Sequence, residues 1–174
     1  MSTLPTTDRG RATRERILET ASELFYRQGV TATGLDQVIA ASQTGKGQLY
    51  HYFADKRELV HAVIERQIGA VLEAQEEVLA RGDLRAWADE LIAAYAQGDH
   101  PLRCPLGALA VELAESDPEA RAALERGFAR WADALGGGQR GTALLAAYQG
   151  GLMLSQARGD VGPLRAALDA ALGA

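Results

Sequence analysis

The chain has 174 residues, 47% hydrophobic and 24% charged, which is enough apolar material for a buried core in one domain or two closely packed ones. Its net charge of −5 argues against a general polyanion binder, yet residues 1–60 carry a net +1 and residues 61–174 a net −6, so the basic character is confined to one end. The single cysteine, Cys104, excludes an internal disulfide framework; no Cys/His spacing suggests a zinc site, no cofactor signature is present, and without an apolar h-region or a bilayer-length apolar run the protein is expected in the cytoplasm.

Apolar residues recur at intervals of three and four and no β-branched run alternates at period two, which predicts an all-α chain. A basic arm holding Arg9, Arg11, Arg14 and Arg16 leads into a first helix over Thr13–Gln28, with Ile17, Ala21, Leu24 and Phe25 on one face and Gly29 as its C-cap. A short second helix follows over Leu35–Ala41, with Thr33 and Asp36 spaced as a capping box. Ser42–Gly45 reads as a tight turn and Lys46–Phe53 as a third helix. Asp55 and Glu58 then cap a long helix over Lys56–Ala80 that ends at Gly82. Further helices are expected at Leu84–Gln97, Pro105–Glu115, Pro118–Leu135, Thr142–Arg158 and Gly162–Leu172, with GGGQRG at 136–141 as a flexible joint. Asp117-Pro118 supplies an N-cap acceptor followed by proline at N1, where no N–H is needed.

Two short helices joined by a tight turn and braced by a longer one form a helix-turn-helix unit. The run Tyr50-His51-Tyr52-Phe53 requires such an arrangement, because four adjacent helical residues point in four directions and cannot all enter one core. Leu49 and Phe53 face inward; Gln48, Tyr50, His51 and Tyr52 are left for a groove or its phosphate walls. Gly45 and Gly47 keep the helix start slim, and Lys46 and Gln48 stand at the end that reaches base edges.

These residues carry a family resemblance. TRERILETASELFYRQG, LDQVIAAS, GKGQLYHYF and ADKREL, in that order within residues 13–59, resemble the DNA-binding domain of the TetR family of bacterial repressors. The resemblance implies an all-α homodimer, with an arm and helix-turn-helix domain over residues 1–55 and a helical ligand-binding and dimerisation domain over 56–174. It implies binding to a pseudo-palindromic double-stranded operator and release by a small-molecule effector. Thr44, Lys46, Gly47 and Gln48 match groove-facing positions; Tyr50, His51, Tyr52 and Lys56 match groove-edge or phosphate positions; Thr33 matches a phosphate-binding helix start. SQTGKG replaces the Gly-Val-Ser type of turn more common in the family. CPLGALAVELAESDP, FARW and ALLAAYQGGLMLSQARGD resemble the LmrA/YxaF-like C-terminal branch, with a shorter connection between Leu135 and Thr142 than relatives have.

In the body, Trp87, Tyr95, Cys104, Phe128, Trp131 and Tyr148 are candidates for an apolar or aromatic pocket, against the alternative that they simply fill the core. Ala146, Ala147, Gly150 and Gly151 permit close helix approach, so Thr142–Arg158 and Gly162–Leu172 are expected to form the homodimer interface, with Gly151 central. Cys104 precedes Pro105 and should occupy an N-cap, where helix N–H groups favour a thiolate. With Arg103 and His100 nearby it reads either as a sensor of electrophilic effectors or as packing. No triad, phosphate loop or metal set supports an enzyme. A helical ligand-binding or interaction module that has lost DNA binding is the other reading, although the arm and recognition helix are intact.

Overall fold

The structure, a computed structural model, describes residues 5–98 and 101–173. Among them are nine helices and no strand: α1 (Asp8–Gln28), α2 (Leu35–Ala41), α3 (Lys46–Tyr52), α4 (Lys56–Ala80), α5 (Leu84–Ala96), α6 (Pro105–Leu113), α7 (Pro118–Ala134), α8 (Gly138–Arg158) and α9 (Gly162–Leu172). They divide into two compact units, Met1–Ile68 with Ala108–Leu124, and Gly69–Gly107 with Glu125–Ala174. The chain passes from one unit to the other within α4, α6 and α7.

In the first unit, Ile17, Ala21 and Phe25 of α1, Val38 of α2, Leu49 and Phe53 of the α3 segment, and Leu59, Val63 and Ile64 of α4 are buried. The basic arm is helical: α1 starts at Asp8 because Thr7 caps it, its hydroxyl accepting the Gly10 N–H at 3.1 Å while Asp8 favours the N-terminal dipole. The capping pair at the start of α4 forms as expected, with Glu58 N–H donating to Asp55 and the Glu58 carboxylate accepting Ala54 N–H, both at 2.8 Å. The turn before α3 contains Gln43 at φ 52, a left-handed position where a β-carbon is strained.

In the second unit Trp87, Trp131, Leu135, Tyr148, Leu152 and Leu164 are buried. Gln75 of α4 accepts two indole N–H groups at one oxygen, Trp87 at 2.6 Å and Trp131 at 3.0 Å, which satisfies both donors of a buried aromatic core. The expected flexible joint is a tight hairpin, and α8 begins at Gly138 rather than Thr142. Close packing causes this: a β-carbon on Gly141 would stand 2.0 Å from the Ala132 carbonyl oxygen, so α7 and α8 touch backbone to backbone. Gly151 is also spent inside the chain, since a β-carbon there would meet Cα of Leu164 at 2.9 Å. Leu164 N–H donates to Ser155 at 3.0 Å along the same α8–α9 seam. Gly151 therefore packs against α9 of its own chain, and the outward face of α8 instead exposes Met153 and Leu154.

Candidate nucleic-acid interface

The helix-turn-helix is held by side chains that close on backbone groups. Gly34 and Gly45, the N-caps of α2 and α3, each precede a glutamine three residues on. Gln37 accepts the Gly34 N–H at 2.8 Å and Gln48 accepts the Gly45 N–H at 3.1 Å. The repeated Gly-x-x-Gln spacing is visible in the sequence, whereas the expected Thr33–Asp36 box does not form. Arg16 of α1 donates its Nε to the Ser42 carbonyl at 2.9 Å, and the Arg14 guanidinium lies 5.2 Å from the centre of the Phe53 ring. Two of the four arm arginines thus brace the unit from within.

Six of the nine sequence candidates for DNA contact are accessible. Lys46, Gly47, Gln48, Tyr50 and His51 are exposed on α3 and Lys56 is half-buried at the start of α4. Lys46 Nζ stands 6.0 Å from the Tyr50 ring centre, and a β-carbon on Gly47 would meet nothing within 4 Å. The other three turn inward. Thr33 is fully buried, donating to the Gly29 carbonyl at 2.7 Å and accepting Gln28 Nε2 at 3.1 Å, because the loop's own carbonyl outcompetes solvent for its hydroxyl. Thr44 shares a 2.8 Å hydrogen bond with Ser42, and the Tyr52 ring is buried with its edge against His51 at 4.9 Å. These three side chains shape the interface from beneath.

A group of contacts from the end of α6 and the start of α7 was missed by local sequence reasoning, which found only the N-cap role of Asp117. Glu112 accepts the Val30 N–H at 2.8 Å and the Thr31 N–H. Burial acts to raise the Glu112 carboxyl, but the Thr31 and Val30 amides outweigh it and hold it below the ordinary value. Asp117, the N-cap of α7, accepts N–H groups of Glu119 and Ala120 at 3.0 Å, Arg57 Nε at 3.2 Å, and pairs with His61 Nε2 at 2.8 Å. Burial again opposes ionisation; the Ala120 amide, Arg57 and His61 overcome it and keep Asp117 well below the usual carboxylate range. Glu119 joins the same group, 3.1 Å from Arg57 and 3.5 Å from His61 Nδ1. His61, Asp117 and Glu119 have the composition of a cation site, but the Arg57 guanidinium already bridges both carboxylates, so the cluster is an internal ion-pair network.

In the second unit the ligand candidates largely converge. Tyr148 meets Trp131 at 5.3 Å and Trp87 at 6.1 Å between ring centres, and its hydroxyl lies 3.0 Å from that of Tyr95. Cys104 lies at the N-cap of α6 and is buried. Burial pushes its thiol above the ordinary value, overcoming the Gln149 side chain and the Gly107 and Leu106 amides that favour the thiolate. The expected low-pKa thiolate is therefore corrected: the cap geometry forms, and desolvation outweighs it. His100, expected to add positive charge, lies outside the described residues. Phe128 is half-buried on α7. A groove of about 760 Å³ lies elsewhere, lined by residues that include Leu72, Glu73, Glu76, Leu79 and Arg130, and by none of the six candidates.

A helix-turn-helix with an accessible α3, followed by a helical body, defines a DNA-binding regulator, and comparison with known proteins agrees. The family model described as bacterial regulatory proteins, tetR family, matches residues 17–63, and that of the transcriptional regulator LmrA/YxaF-like C-terminal domain matches 80–138. The chain is 31% identical over 173 residues to the HTH-type transcriptional regulator YxaF of Bacillus subtilis, covering 87% of this chain and 88% of that one. It is 33% identical over 126 residues to an HTH-type transcriptional regulator in the lacX 3' region of Lactococcus lactis, spanning 63% of its length. It is 26% identical over 121 residues to the HTH-type transcriptional repressor NemR of Escherichia coli, spanning 61%. The crystal structure of NemR in its reduced form superposes with TM-score 0.74 at 25% identity over 93% of this chain and 97% of that one. A TetR-family regulator from Agrobacterium tumefaciens gives 0.79 at 19% identity, over 94% and 97%. The chain belongs to the TetR family and is a transcriptional regulator, not an enzyme. No helix among the described residues is long and apolar enough to cross a membrane.

Proposed function

We propose that the protein is a ligand-responsive repressor that binds a pseudo-palindromic operator as a homodimer and leaves it when a small effector binds. The observation that carries this reading is the division of α3: Leu49 and Tyr52 are buried, while Lys46, Gly47, Gln48, Tyr50 and His51 form one accessible face. Residues 1–55 read DNA in this scheme, with Lys46, Gln48 and Tyr50 at base edges and His51 and Lys56 on phosphates. Residues 56–174 hold the effector and the dimer contact, and the protein works in the cytoplasm. One head spans only a few base pairs, so useful affinity needs two, about 34–36 Å or a multiple apart.

Dimerisation is assigned to α8 and α9, with exposed Met153 and Leu154 at its centre. The effector is a small apolar or aromatic molecule that parts the cluster of Trp87, Trp131 and Tyr148, with the Tyr95 and Tyr148 hydroxyls as polar handles. An electrophilic effector is disfavoured by the burial of Cys104, which pushes its thiol above the ordinary value and shields its sulfur.

Binding to a duplex enriched by the parent protein from a random pool tests the scheme. Lys46→Ala/Tyr50→Ala should abolish specific binding, and Lys56→Ala should weaken all sequences alike and reduce the salt slope by about 1. Met153→Asp/Leu154→Asp should turn a dimer into a monomer in sedimentation. Normal operator affinity in the first variant would remove α3 as the reading helix, and an intact dimer in the last would move the interface elsewhere.

A further inference from the structure

Glu112 stands in the last turn of α6, where the helix dipole disfavours a negative charge, so the stability of α6 does not account for a carboxylate there. Its partners do. The two carboxylate oxygens close on the successive N–H groups of Val30 and Thr31, 82 and 81 residues away in sequence. Gly29 makes this approach possible: its φ of 88° turns the chain out of α1, and a β-carbon would press on the carboxylate oxygens at 3.2 and 3.4 Å. Thr31 is exposed, so water could satisfy its amide without Glu112. Val30 is buried, so at its amide the carboxylate stands in for water, while at Thr31 the clasp serves to fix position.

That position matters because the loop runs within three residues into Gly34, the N-cap of α2. The Gly29 carbonyl beside the clasp accepts the Thr33 hydroxyl, and Gln28 reaches both Thr33 and Gln37. A displacement at Val30 and Thr31 is therefore passed through side-chain bonds to the start of α2, and from α2 through the turn to α3. We propose that Glu112 is a positioning residue for operator binding, acting through the α1–α2 loop to hold the helix-turn-helix in its DNA-competent pose. This rests on the reading of α3 as the operator-binding helix. It assigns a DNA-binding role to a residue of the C-terminal part of the chain that never touches DNA.

Glu112→Gln keeps the shape of the side chain, removes the charge and sets an amide NH₂ against one of the two backbone donors. The expected result is about tenfold weaker binding to the selected duplex, the loss expected for a charge-assisted hydrogen bond. Amide hydrogen exchange should quicken at Val30 and Thr31 and stay unchanged in α8 and α9. Glu112→Asp, which keeps the charge with a shorter reach, should fall between parent and Gln variant, and it replaces the Gln variant if that chain does not fold. Affinity within twofold of the parent, with exchange quickened at Val30 and Thr31, would show a clasp that is only structural and overturn the proposal. A parent that enriches no duplex would instead remove the operator reading, an outcome separate from a variant that matches a binding parent.

Discussion

The two compact units are built by different means. The first is tied by single polar contacts from side chain to backbone: Gln37 and Gln48 at helix starts, Arg16 on the Ser42 carbonyl, Thr33 on the Gly29 carbonyl, Glu112 on the Val30 and Thr31 amides. The second is tied mainly by contact of surfaces, with Tyr148 edge to face on Trp131 and tilted against Trp87, and α7, α8 and α9 brought together where glycines leave no side chain between them. Directional bonds fix where a helix stands, because each has one geometry, which suits the reading role proposed for α3. Packed aromatic and aliphatic surfaces can exchange one apolar neighbour for another, which suits a site that admits a small molecule.

The comparison predicts that each unit fails in its own way. The largest effect is expected in the second unit from Gly141→Ala, since the new methyl would overlap the Ala132 carbonyl and neither backbone can retreat without opening the hairpin. Overpacking of this kind costs about 3 kcal/mol or more, which lowers Tm by roughly 6–12 °C in a chain of this size. A thermal scan showing a parental Tm would mean that α7 and α8 are not in backbone contact.

In the first unit the sensitive change is one of charge rather than bulk. Asp117→Asn retains an N-cap acceptor but loses the ionic half of the pairing with Arg57, a smaller destabilisation than that of the Gly141 variant. The folded-state pKa of Asp117 lies below its ordinary 3.8, so the stabilisation is complete above that value and disappears as pH falls through the lower folded value. The difference in Tm between parent and variant should be present at pH 7 and shrink on acidification to pH 3 and below. A difference that stays constant over that range would assign the loss to altered capping alone.

The smallest effect has the opposite sign and separates stability from reading. Gly47 has open space where a β-carbon would go. Gly47→Ala should therefore stabilise α3 by about 0.5–1 kcal/mol through helix propensity. On the proposed interface the same methyl intrudes between α3 and DNA, so operator affinity should fall while Tm rises. If both rise together, DNA does not approach α3 at that point.

Much of this was legible in the sequence because it depends on near neighbours. The 3.6-residue period placed Leu49 and Phe53 inside and Tyr50 and His51 outside, and the bounds of α2, α4 and α9 follow from local caps and breakers. What escaped depends on partners distant in the chain or on competition between effects. Thr33 reads as a helix cap until the Gly29 carbonyl is known to lie within reach of its hydroxyl. Gly151 reads as a contact for a second copy until Leu164 is found against it. Cys104 has the local signature of an activated thiol, and only the burial around it reverses the sign. Glu112 carries no local signal at all; a carboxylate at the wrong end of a helix is the nearest thing to one.

If α3 reads DNA as proposed, the bond from Gly45 N–H to the Gln48 side chain bears on the alphabet available to it. A glutamine that reads adenine in two-pronged fashion accepts from N6 and donates to N7, using both ends of its amide. Here one lone pair of the oxygen is already taken by the N–H of the N-cap Gly45, leaving the second lone pair and the two Nε2 donors for a base. On the proposed interface the free donors favour acceptor edges, guanine N7 and O6 or thymine O4, and adenine N6 has to share the oxygen that caps the helix. The cap of α3, on that proposal, thus weights the reading against one of the four letters.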